Sequence, residues 1–457
     1  MLIKSFQLLY LLGLVAACGG PSAQEKQEAA ATTPAQTLQT ATKALALPAP
    51  YATESATRRS HVTGWPAGKT PTAPAGFAVA EYAGRFDSPR WLYVAPNGDV
   101  LVAESNTVPK TVMKKVAAAL KLDPSKSLKS TSANRITLLR DADGDGRPEI
   151  RTVLLKGLNQ PLGMLVLGNA LYVANTDGVL KYPYKAGQTR ISGPGQKIMS
   201  LPASGYNNHW TRNLLASPDG AKIYVTVGSA SNVMEYGAKE EERRANVLQI
   251  NPDGSGEKIY ASGLRNPVGL AWAPGTQTLW AAVNERDELG DELVPDYLTS
   301  VKEGGFYGWP YAYFGPNEDP RRKGERPDLV KKTLVPDVPL GSHTASLGLA
   351  FYDKKAFPAK YRGGAFVGQH GSWNRTAFSG YKVVFVPFAG AKPSGPPEDF
   401  LTGFLAGGDS DEAYGRPVGV ATLPDGSLLV ADDAGNKLWR VRATAGPKSG
   451  GAGRTSR

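Results

Sequence analysis

Leu214-Leu215-Ala216-Ser217-Pro218-Asp219-Gly220, then Lys222-Ile223-Tyr224-Val225-Thr226-Val227, reads as a strand, a Pro-Asp-Gly turn and a second strand. This stretch decides the fold because it recurs. Related openings stand at Ser88-Pro89-Arg90-Trp91-Leu92, Gln160-Pro161-Leu162-Gly163-Met164, Asn266-Pro267-Val268-Gly269-Leu270, Ala345-Ser346-Leu347-Gly348-Leu349 and Arg416-Pro417-Val418-Gly419-Val420. Each leads into an apolar segment, a turn rich in Pro, Gly, Asn or Asp, and a second apolar segment such as Val100-Leu101-Val102-Ala103 or Leu428-Leu429-Val430-Ala431. Six such sheet units predict an all-β chain folded as a six-bladed β-propeller.

Propeller geometry places equivalent positions of every blade at one height around one axis, so the residues that open the repeats converge on one face of the channel. Here they include Gln160, His209 (preceded by Asn207-Asn208), Arg265 with Asn266, and Arg416. A structural repeat would tend to reuse one turn residue, whereas donors, acceptors and an imidazole drawn from separate blades form a candidate binding site. A guanidinium beside an amide suits a ligand carrying carboxylate or quinone oxygens.

The composition agrees with short strands and many tight turns: of 457 residues, 41% are hydrophobic and 20% charged, with 52 Gly and 35 Pro. The only segment with a clear helical pattern runs from about Thr111 to Leu122. A net charge of +11 raises the question of nucleic acid, but the basic residues are scattered and form no run with interleaved aromatics. No nucleic-acid partner is expected. A basic surface can still steer an anionic ligand or an acidic redox partner.

Residues 1–18 carry Lys4, an apolar run from Leu8 to Ala17 and then Cys18, the outline of an export signal. Val15-Ala16-Ala17-Cys18 resembles a bacterial lipobox, and Cys18 is the one cysteine of the chain. Lipidation of Cys18, with the protein exported and held on a bacterial membrane facing the periplasm or cell exterior, stands against an ordinary cleaved signal with an incidental cysteine. Residues 19–73, rich in Ala, Thr, Gln, Ser and Pro, read as a flexible tether in which His61 has no evident part. The propeller is expected over 74–442, and 443–457 as a disordered tail.

Two acidic loops invite metal. Asp141, Asp143 and Asp145 alternate with Ala142 and Gly144 at the tip of an expected hairpin. They have the spacing of a calcium loop, but Thr152 stands where an EF-hand places its twelfth-position Glu. Structural Ca²⁺ and a metal-free Asx-rich turn are both open there. The second loop, Asn284 to Glu292, lies close to Gly304-Gly305-Phe306-Tyr307-Gly308-Trp309-Pro310 and can offer carboxylate and backbone oxygens to a hard cation.

Taken in order, Gln160, His209, Gly263-Leu264-Arg265-Asn266-Pro267, the acidic loop, the Gly304 to Pro310 run and Arg416 resemble the soluble quinoprotein sugar dehydrogenases. The run His370-Gly371-Ser372-Trp373-Asn374-Arg375 and the Asp-Gly-Asp-Gly loop look like the sorbosone dehydrogenase branch. The resemblance covers essentially the whole propeller. It implies a quinoprotein oxidoreductase that oxidises an aldose or related sugar at C1, with pyrroloquinoline quinone (PQQ) and Ca²⁺ as cofactors. In it His209 is the base for the anomeric hydroxyl, and Arg265 polarises the accepting carbonyl region with Asn266 beside it. Gln160 and Arg416 bind the cofactor's periphery, and backbone carbonyls near Arg286 and Asp287 ligate the cofactor's calcium. Asp291, Glu292 and the Tyr307 carbonyl match positions of a second, structural calcium pair. Relatives have Gly-Pro where Arg286-Asp287 stands, so ligation could pass to the Asp287 side chain. His370 and Arg375 are the nearest counterparts of a Lys that the glucose enzymes place against the quinone.

With no Cys-x-x-Cys-His in the chain, electrons must leave to an external acceptor, a quinone or a cytochrome. Turnover is expected to fall as pH drops through the ordinary imidazole titration of His209. Two other readings compete. A calcium-dependent lactonase-type propeller needs several side-chain metal ligands from different blades, and a non-catalytic binding module has no need of His, Arg and Gln on one rim.

Overall fold

Each of the six openings becomes the innermost strand of a four-stranded antiparallel sheet in the structure, a computed structural model. It describes residues 22–444 apart from 33, 110–111, 121, 127–128 and 130. Blade one comprises Pro89–Val94, Val100–Glu104, Arg135–Arg140 and Ile150–Lys156; blade two Met164–Leu167, Ala170–Asn175, Gly178–Pro183 and Gln196–Ser200. Blade three is Leu214–Ala216, Ile223–Val227, Asn246–Ile250 and Lys258–Ser262; blade four Asn266–Trp272, Leu279–Asn284, Pro295–Ser300 and Val338–Ser342. Blade five is Ser346–Phe351, Ala365–Gln369, Lys382–Val386 and Glu398–Leu401. Blade six takes Pro417–Thr422, Leu428–Asp432 and Lys437–Ala443 from the end of the chain, and its outer strand is Phe77–Ala83. The ring is therefore closed by pairing the start of the propeller with its end, which leaves no open sheet edge at the junction.

The second strands, Val100–Glu104, Ala170–Asn175, Ile223–Val227 and Leu428–Asp432 among them, are buried along their whole length because a blade on each side covers both faces. Their Val, Leu and Ala side chains form the clusters between blades. The recurring glycine of the openings has a packing reason. A β-carbon on Gly348 would lie 2.1 Å from the Val418 carbonyl of the next inner strand, and one on Gly269 would lie 2.6 Å from Leu349 Cβ. Inner strands crowd around the axis too closely for a side chain there.

The flexible tether expected over 19–73 is corrected by the structure. From Gln36 onward the segment is a strap laid along blades four to six. Gln36–Gln39 and Ala44–Leu47 form a hairpin, Leu47 is buried in the blade-four core, and Tyr51 donates its N–H to the Leu289 carbonyl at 2.7 Å. Arg58 donates its N–H to the Trp373 carbonyl at 2.9 Å, and His61–Val62 pairs in parallel with Glu412–Ala413. Trp65 then donates Nε1–H to Asp432 Oδ2 at 2.6 Å. Polar composition misled here because strap residues satisfy their backbone groups against propeller loops instead of forming a core of their own. The expected helix is present as Val112–Ala119, and Ala23–Thr32 and Pro327–Lys332 add two that the pattern did not signal. Among the described residues no helix is long and apolar enough to cross a membrane. Cys18 and residues 445–457 lie outside the described residues.

Candidate functional site

Strand direction decides which residues share a face. The segments entering each blade and the connections between its second and third strands fall at one end of the propeller, and the hairpins between third and fourth strands at the other. Gln160, His209, Arg265, His343 and Arg416 are on entering segments, while Ser229, Asn232, Asp287, His370, Asn374 and Asp433 are on second-to-third connections. All gather at one mouth. The Asp141, Asp143 and Asp145 loop is a third-to-fourth hairpin and belongs to the opposite end.

His209 donates from Nδ1 to the Ser229 carbonyl at 2.8 Å, with Ser229 Oγ at 3.0 Å. A carbonyl only accepts, and the Oγ proton is given to the Ser231 carbonyl at 2.6 Å, so the ring proton sits on Nδ1 and the lone pair on Nε2. No described residue bonds to Nε2. Burial, and then the nearby Arg265 guanidinium, lower the imidazole from 6.5 to about 3, so it is neutral at ordinary pH. The loop is rigid: Arg212, fully buried, donates to the carbonyls of His209 at 2.7 Å, Thr211 at 2.9 Å and Pro202 at 2.8 Å.

Across from it lies Asn266, the first residue of blade four, whose Oδ1 is buried without a partner. Gly228 separates the two, since a β-carbon there would meet Asn266 Oδ1 at 2.3 Å and His209 Cβ at 2.6 Å. The neighbouring Arg265 does not present its fork to the mouth. Its Nη1 donates to the Glu285 carbonyl at 2.6 Å, and its Nη2 to Asn232 Oδ1 at 2.9 Å and Asp287 Oδ2 at 3.0 Å. The expected polarising contact is corrected to a positioning one, because burial obliges a guanidinium to spend its donors on fixed acceptors.

Asp287 collects this network. Its Oδ1 accepts from Asn374 Nδ2 at 2.7 Å and faces His343 Nδ1 at 3.6 Å, while His343 Nε2 donates to the Gly290 carbonyl at 2.9 Å. Burial works against the charge, but Arg265 and His343 hold the carboxyl well below the usual carboxylate range. The Asp287 carbonyl accepts from Arg321 Nη1 at 2.9 Å and Asn232 Nδ2 at 3.2 Å, so it is not an open cation ligand. The Arg286 side chain is buried and donates to Glu285, Asp319 and the Pro310 and Ala312 carbonyls. What a cation could use here is the Arg286 carbonyl, to which no described residue donates, and the spare lone pairs of the Asp287 carboxylate.

The other flank joins blades one, five and six. Arg90 Nη1 donates to Asp433 Oδ2 at 2.5 Å, and Asp433 Oδ1 accepts from His370 Nε2 at 2.9 Å. Arg416 donates to the carbonyls of His370 at 2.9 Å and Gly371 at 2.8 Å. Burial first, then Arg416, lower His370 to about 4, whereas His370 through its hydrogen bond, with the Arg90 and Arg416 guanidinium groups, holds the Asp433 carboxyl well below the usual carboxylate range against its burial. Arg90 also lies over the Trp210 ring at 5.6 Å, and its Nε is buried with no partner. Gln160, with φ of 46°, donates Nε2–H to the Asn106 carbonyl at 2.8 Å on this side. On this flank two guanidinium groups, Arg90 and Arg416, stand with the single carboxylate of Asp433, a cationic balance suited to an anionic planar ligand.

Several expected site residues are not brought in. Arg375 turns outward to an ion pair with Glu292. Asp291 accepts from the Thr376 N–H at 3.0 Å, and its own N–H donates to Thr53 Oγ1 of the strap at 2.8 Å. Tyr307 instead packs against the end of blade three, its N–H on the Ser262 carbonyl at 2.9 Å. Blade five occupies Asp291 Oδ2 and the Glu292 carboxylate, while Asp291 Oδ1 is buried without a partner and Tyr307 stands with blade three, so these three do not form one carboxylate cluster in the structure. Asp141, Asp143, Asp145 and Glu149 are the one carboxylate group among the described residues with ligand atoms within 4.8 Å of one another. There Asp141 accepts from Gly144 and Gly146, each at 2.8 Å, which is Asx-turn bonding.

Arg90, Gly228, Asn232 and Asp433 belong to the mouth without being singled out by the repeat pattern. Arg90 was legible, since it sits in an opening segment; the other three lie on second-to-third connections, which vary too much in length to align by repeat.

A family model described as Glucose / Sorbosone dehydrogenase matches residues 174–375, and one described as TrAA12-like matches 328–444. An uncharacterized protein of Borreliella burgdorferi is 32% identical over 300 residues, 63% of this chain and 77% of that one. The aldose sugar dehydrogenase YliI of Escherichia coli is 34% identical over 113 residues, 24% of this chain and 28% of the relative. Among solved structures, the PQQ domain of pyranose dehydrogenase from Coprinopsis cinerea superposes with a TM-score of 0.64 at 18% identity, covering 84% of this chain and 100% of that one. At that identity it speaks for the propeller fold.

Proposed function

Because the chain belongs to the glucose / sorbosone dehydrogenase family, we propose that it is a PQQ-dependent oxidoreductase that oxidises an aldose, or a related sugar, at its anomeric carbon. The observation that carries this reading is His209, a neutral imidazole whose Nδ1 proton is fixed on Ser229 and whose Nε2 is left as an acceptor at the mouth.

The residues present fit the cofactor. PQQ is planar and carries carboxylates and quinone oxygens; the buried Arg90 Nε–H has no partner and can donate to such an oxygen, Asn266 Oδ1 has none and can accept from a hydroxyl of the substrate, and Gly228 keeps the space between Asn266 and His209 open. Arg90, Gln160, Asn266, His370 and Arg416 would hold it. When bound it supplies the two-electron acceptor for the C1 hydride. His209 Nε2 takes the anomeric hydroxyl proton as the C1–H bond breaks, so that C1 and its oxygen form the carbonyl of a lactone. Arg265 and Asp287 fix Asn232 and the blade-four loop around this space. The Arg286 carbonyl and the Asp287 carboxylate would hold a hard cation, Ca²⁺ in this reading, beside this space. Electrons then leave to an external quinone or cytochrome.

The test is a titration of the apoprotein with PQQ followed by absorption, then addition of aldoses with an artificial electron-accepting dye. PQQ binding with sugar-dependent dye reduction is expected. Tight binding with no reduction by any aldose in a broad panel would overturn the substrate class, and no binding would overturn the cofactor.

The membrane anchor at Cys18 belongs to the same proposal, with the sugar oxidised outside the cytoplasm. Cys18→Ser should move the protein from the membrane to the soluble fraction, and an unchanged partition would remove the anchor from the account.

A further inference from the structure

Tyr206 and Tyr236 are 37% and 48% exposed, yet their rings meet with centroids 4.3 Å apart at a tilt of 41°. They come from two connections of the site face, Tyr206 from the segment entering blade three and Tyr236 from the connection between its second and third strands. Tyrosine joins an apolar ring to a polar hydroxyl and is enriched where one end of a side chain is apolar and the other wet, as at binding surfaces.

Both rings stand on backbone tied to the site. Asn207, next to Tyr206, accepts on Oδ1 from two buried guanidinium groups, Arg244 at 2.7 Å and Arg212 at 3.1 Å. Glu235, next to Tyr236, accepts from the N–H groups of Val233 at 2.7 Å and Asn232 at 3.0 Å. Asn232 is the residue that holds Arg265. Tyr206 precedes His209 by three residues, so their α-carbons are no more than about 11 Å apart. That is within the reach of a disaccharide.

We propose that Tyr206 and Tyr236 form a second carbohydrate subsite, on which a sugar ring linked to the one presented to His209 packs its C–H face. The substrate class is then the reducing end of an oligosaccharide. The proposal rests on the sugar-oxidising reading above. Aromatic faces are electron-rich and attract the polarised C–H groups that line one face of a pyranose, and pre-ordered rings lose little entropy on binding. A pair of rings suits one sugar unit and is far smaller than a stable protein interface. The hydroxyls add polar contacts: burial, then Tyr236, Glu235 and Glu288, push Tyr206 up to about 12, so it stays protonated as a donor. Glu288, 68% exposed and adjacent to Asp287, offers a carboxylate to sugar hydroxyls on the same side.

The test uses methyl glycosides, whose blocked anomeric oxygen prevents oxidation, so binding is read apart from turnover. Calorimetric titration of the full protein with methyl β-cellobioside, methyl α-maltoside and methyl β-glucoside is compared with Tyr206→Ala and Tyr236→Ala, their fold checked by circular dichroism. We expect at least one disaccharide glycoside to bind tenfold or more tightly than the glucoside, and each substitution to erase that preference. In the PQQ-loaded enzyme the ratio of disaccharide KM to glucose KM should rise by the same factor. Equal affinity for all three glycosides, or a preference that survives both substitutions, would overturn the subsite. Glycoside binding with no oxidation of any free sugar would instead overturn the proposed reaction and keep the subsite.

Discussion

Gly228 and Asn266 share a boundary: a β-carbon on the glycine would stand 2.3 Å from Asn266 Oδ1, closer than any real contact, and 2.6 Å from His209 Cβ. The glycine therefore keeps open the space between the proposed base and an unpartnered amide oxygen. Alanine needs no unusual backbone here, so its effect is purely steric. Overpacking of this kind costs about 1–3 kcal/mol when it disturbs a packed site. Gly228→Ala should lower dye reduction at least tenfold and weaken PQQ binding while moving Tm by only a few degrees. Normal turnover in a folded Gly228→Ala protein would show that nothing occupies the gap.

His209 yields a paired prediction. Loss of a general base costs typically 10²–10⁴ in rate, so His209→Gln should bind PQQ yet lose turnover by that factor. The pH dependence departs from the ordinary imidazole expected from sequence. With the folded value near 3 and the ordinary value at 6.5, the native imidazole stays neutral across pH 5–8, and the His209 limb of the turnover profile should be flat there. The stability sign follows from the same shift. Below pH 6.5 the unfolded chain takes up the proton first, so native stability falls from 6.5 toward 3 and is unaffected above 6.5. Tm of His209→Gln should decline less than wild type between pH 6.5 and 4. A turnover inflection near 6.5 would mean that the imidazole is more solvated than its surroundings indicate.

The openings of the repeat revealed the propeller because inner strands need small residues where they crowd the axis, and that need recurs with the blade. They revealed His209 and Asn266 for the same reason, since each sits at a fixed distance from such an opening. Arg265 was placed correctly but not aimed correctly: a one-dimensional pattern gives height and radius, while Asn232, Glu285 and Asp287, which claim its donors, come from loops with no repeat. Arg375 misled in a related way. It neighbours Asn374, which does reach Asp287, but both stand on a bend between strands where no repeat fixes side-chain direction, and Arg375 reaches Glu292 instead. The strap was hidden by composition, because much of its hold on the propeller is through backbone hydrogen bonds that any residue can make, with only scattered anchors such as Leu47 and Trp65 among its polar residues.

Asp287 tests the cation. Its carbonyl is taken by Asn232 and Arg321, so only its carboxylate and the Arg286 carbonyl remain to a metal. PQQ affinity of wild type should weaken at least tenfold after thorough chelation and recover with Ca²⁺. Asp287→Asn should have the weaker affinity with or without Ca²⁺. It should also lower Tm, because Arg265 loses its buried partner; the change is held below the roughly 3–5 kcal/mol of a fully buried pair by the partial exposure of Asp287. Wild-type affinity that ignores chelation would remove calcium from the site.

Arg90, one of the four site residues that the repeat pattern does not single out, has a geometry that makes a sharp prediction. It spends Nη1 on Asp433 and sets its charge over the Trp210 ring at 5.6 Å, yet Nε is buried without a partner. A buried guanidinium N–H left unpaired costs about as much as a charged hydrogen bond, on the order of 1.5–3 kcal/mol, so its native state makes sense once an anionic oxygen meets it. Lysine in its place keeps the charge near Asp433, but its donors all sit on one nitrogen, so none stands at the Nε position, and it has no guanidinium face toward Trp210. Arg90→Lys should therefore raise the dissociation constant for PQQ by about tenfold or more, which corresponds to about 1.4 kcal/mol, and leave the rate at saturating PQQ nearly unchanged. Arg90→Ala should weaken binding further and also loosen His370, whose partner Asp433 would lose its guanidinium. Fluorescence titration of the eight-tryptophan protein with PQQ reads both variants directly, Trp210 lying against Arg90. If Arg90→Lys binds PQQ like wild type while its turnover collapses, Arg90 acts on the reaction and not on the cofactor's hold, and the cationic flank of blades one, five and six must be reassigned to the substrate.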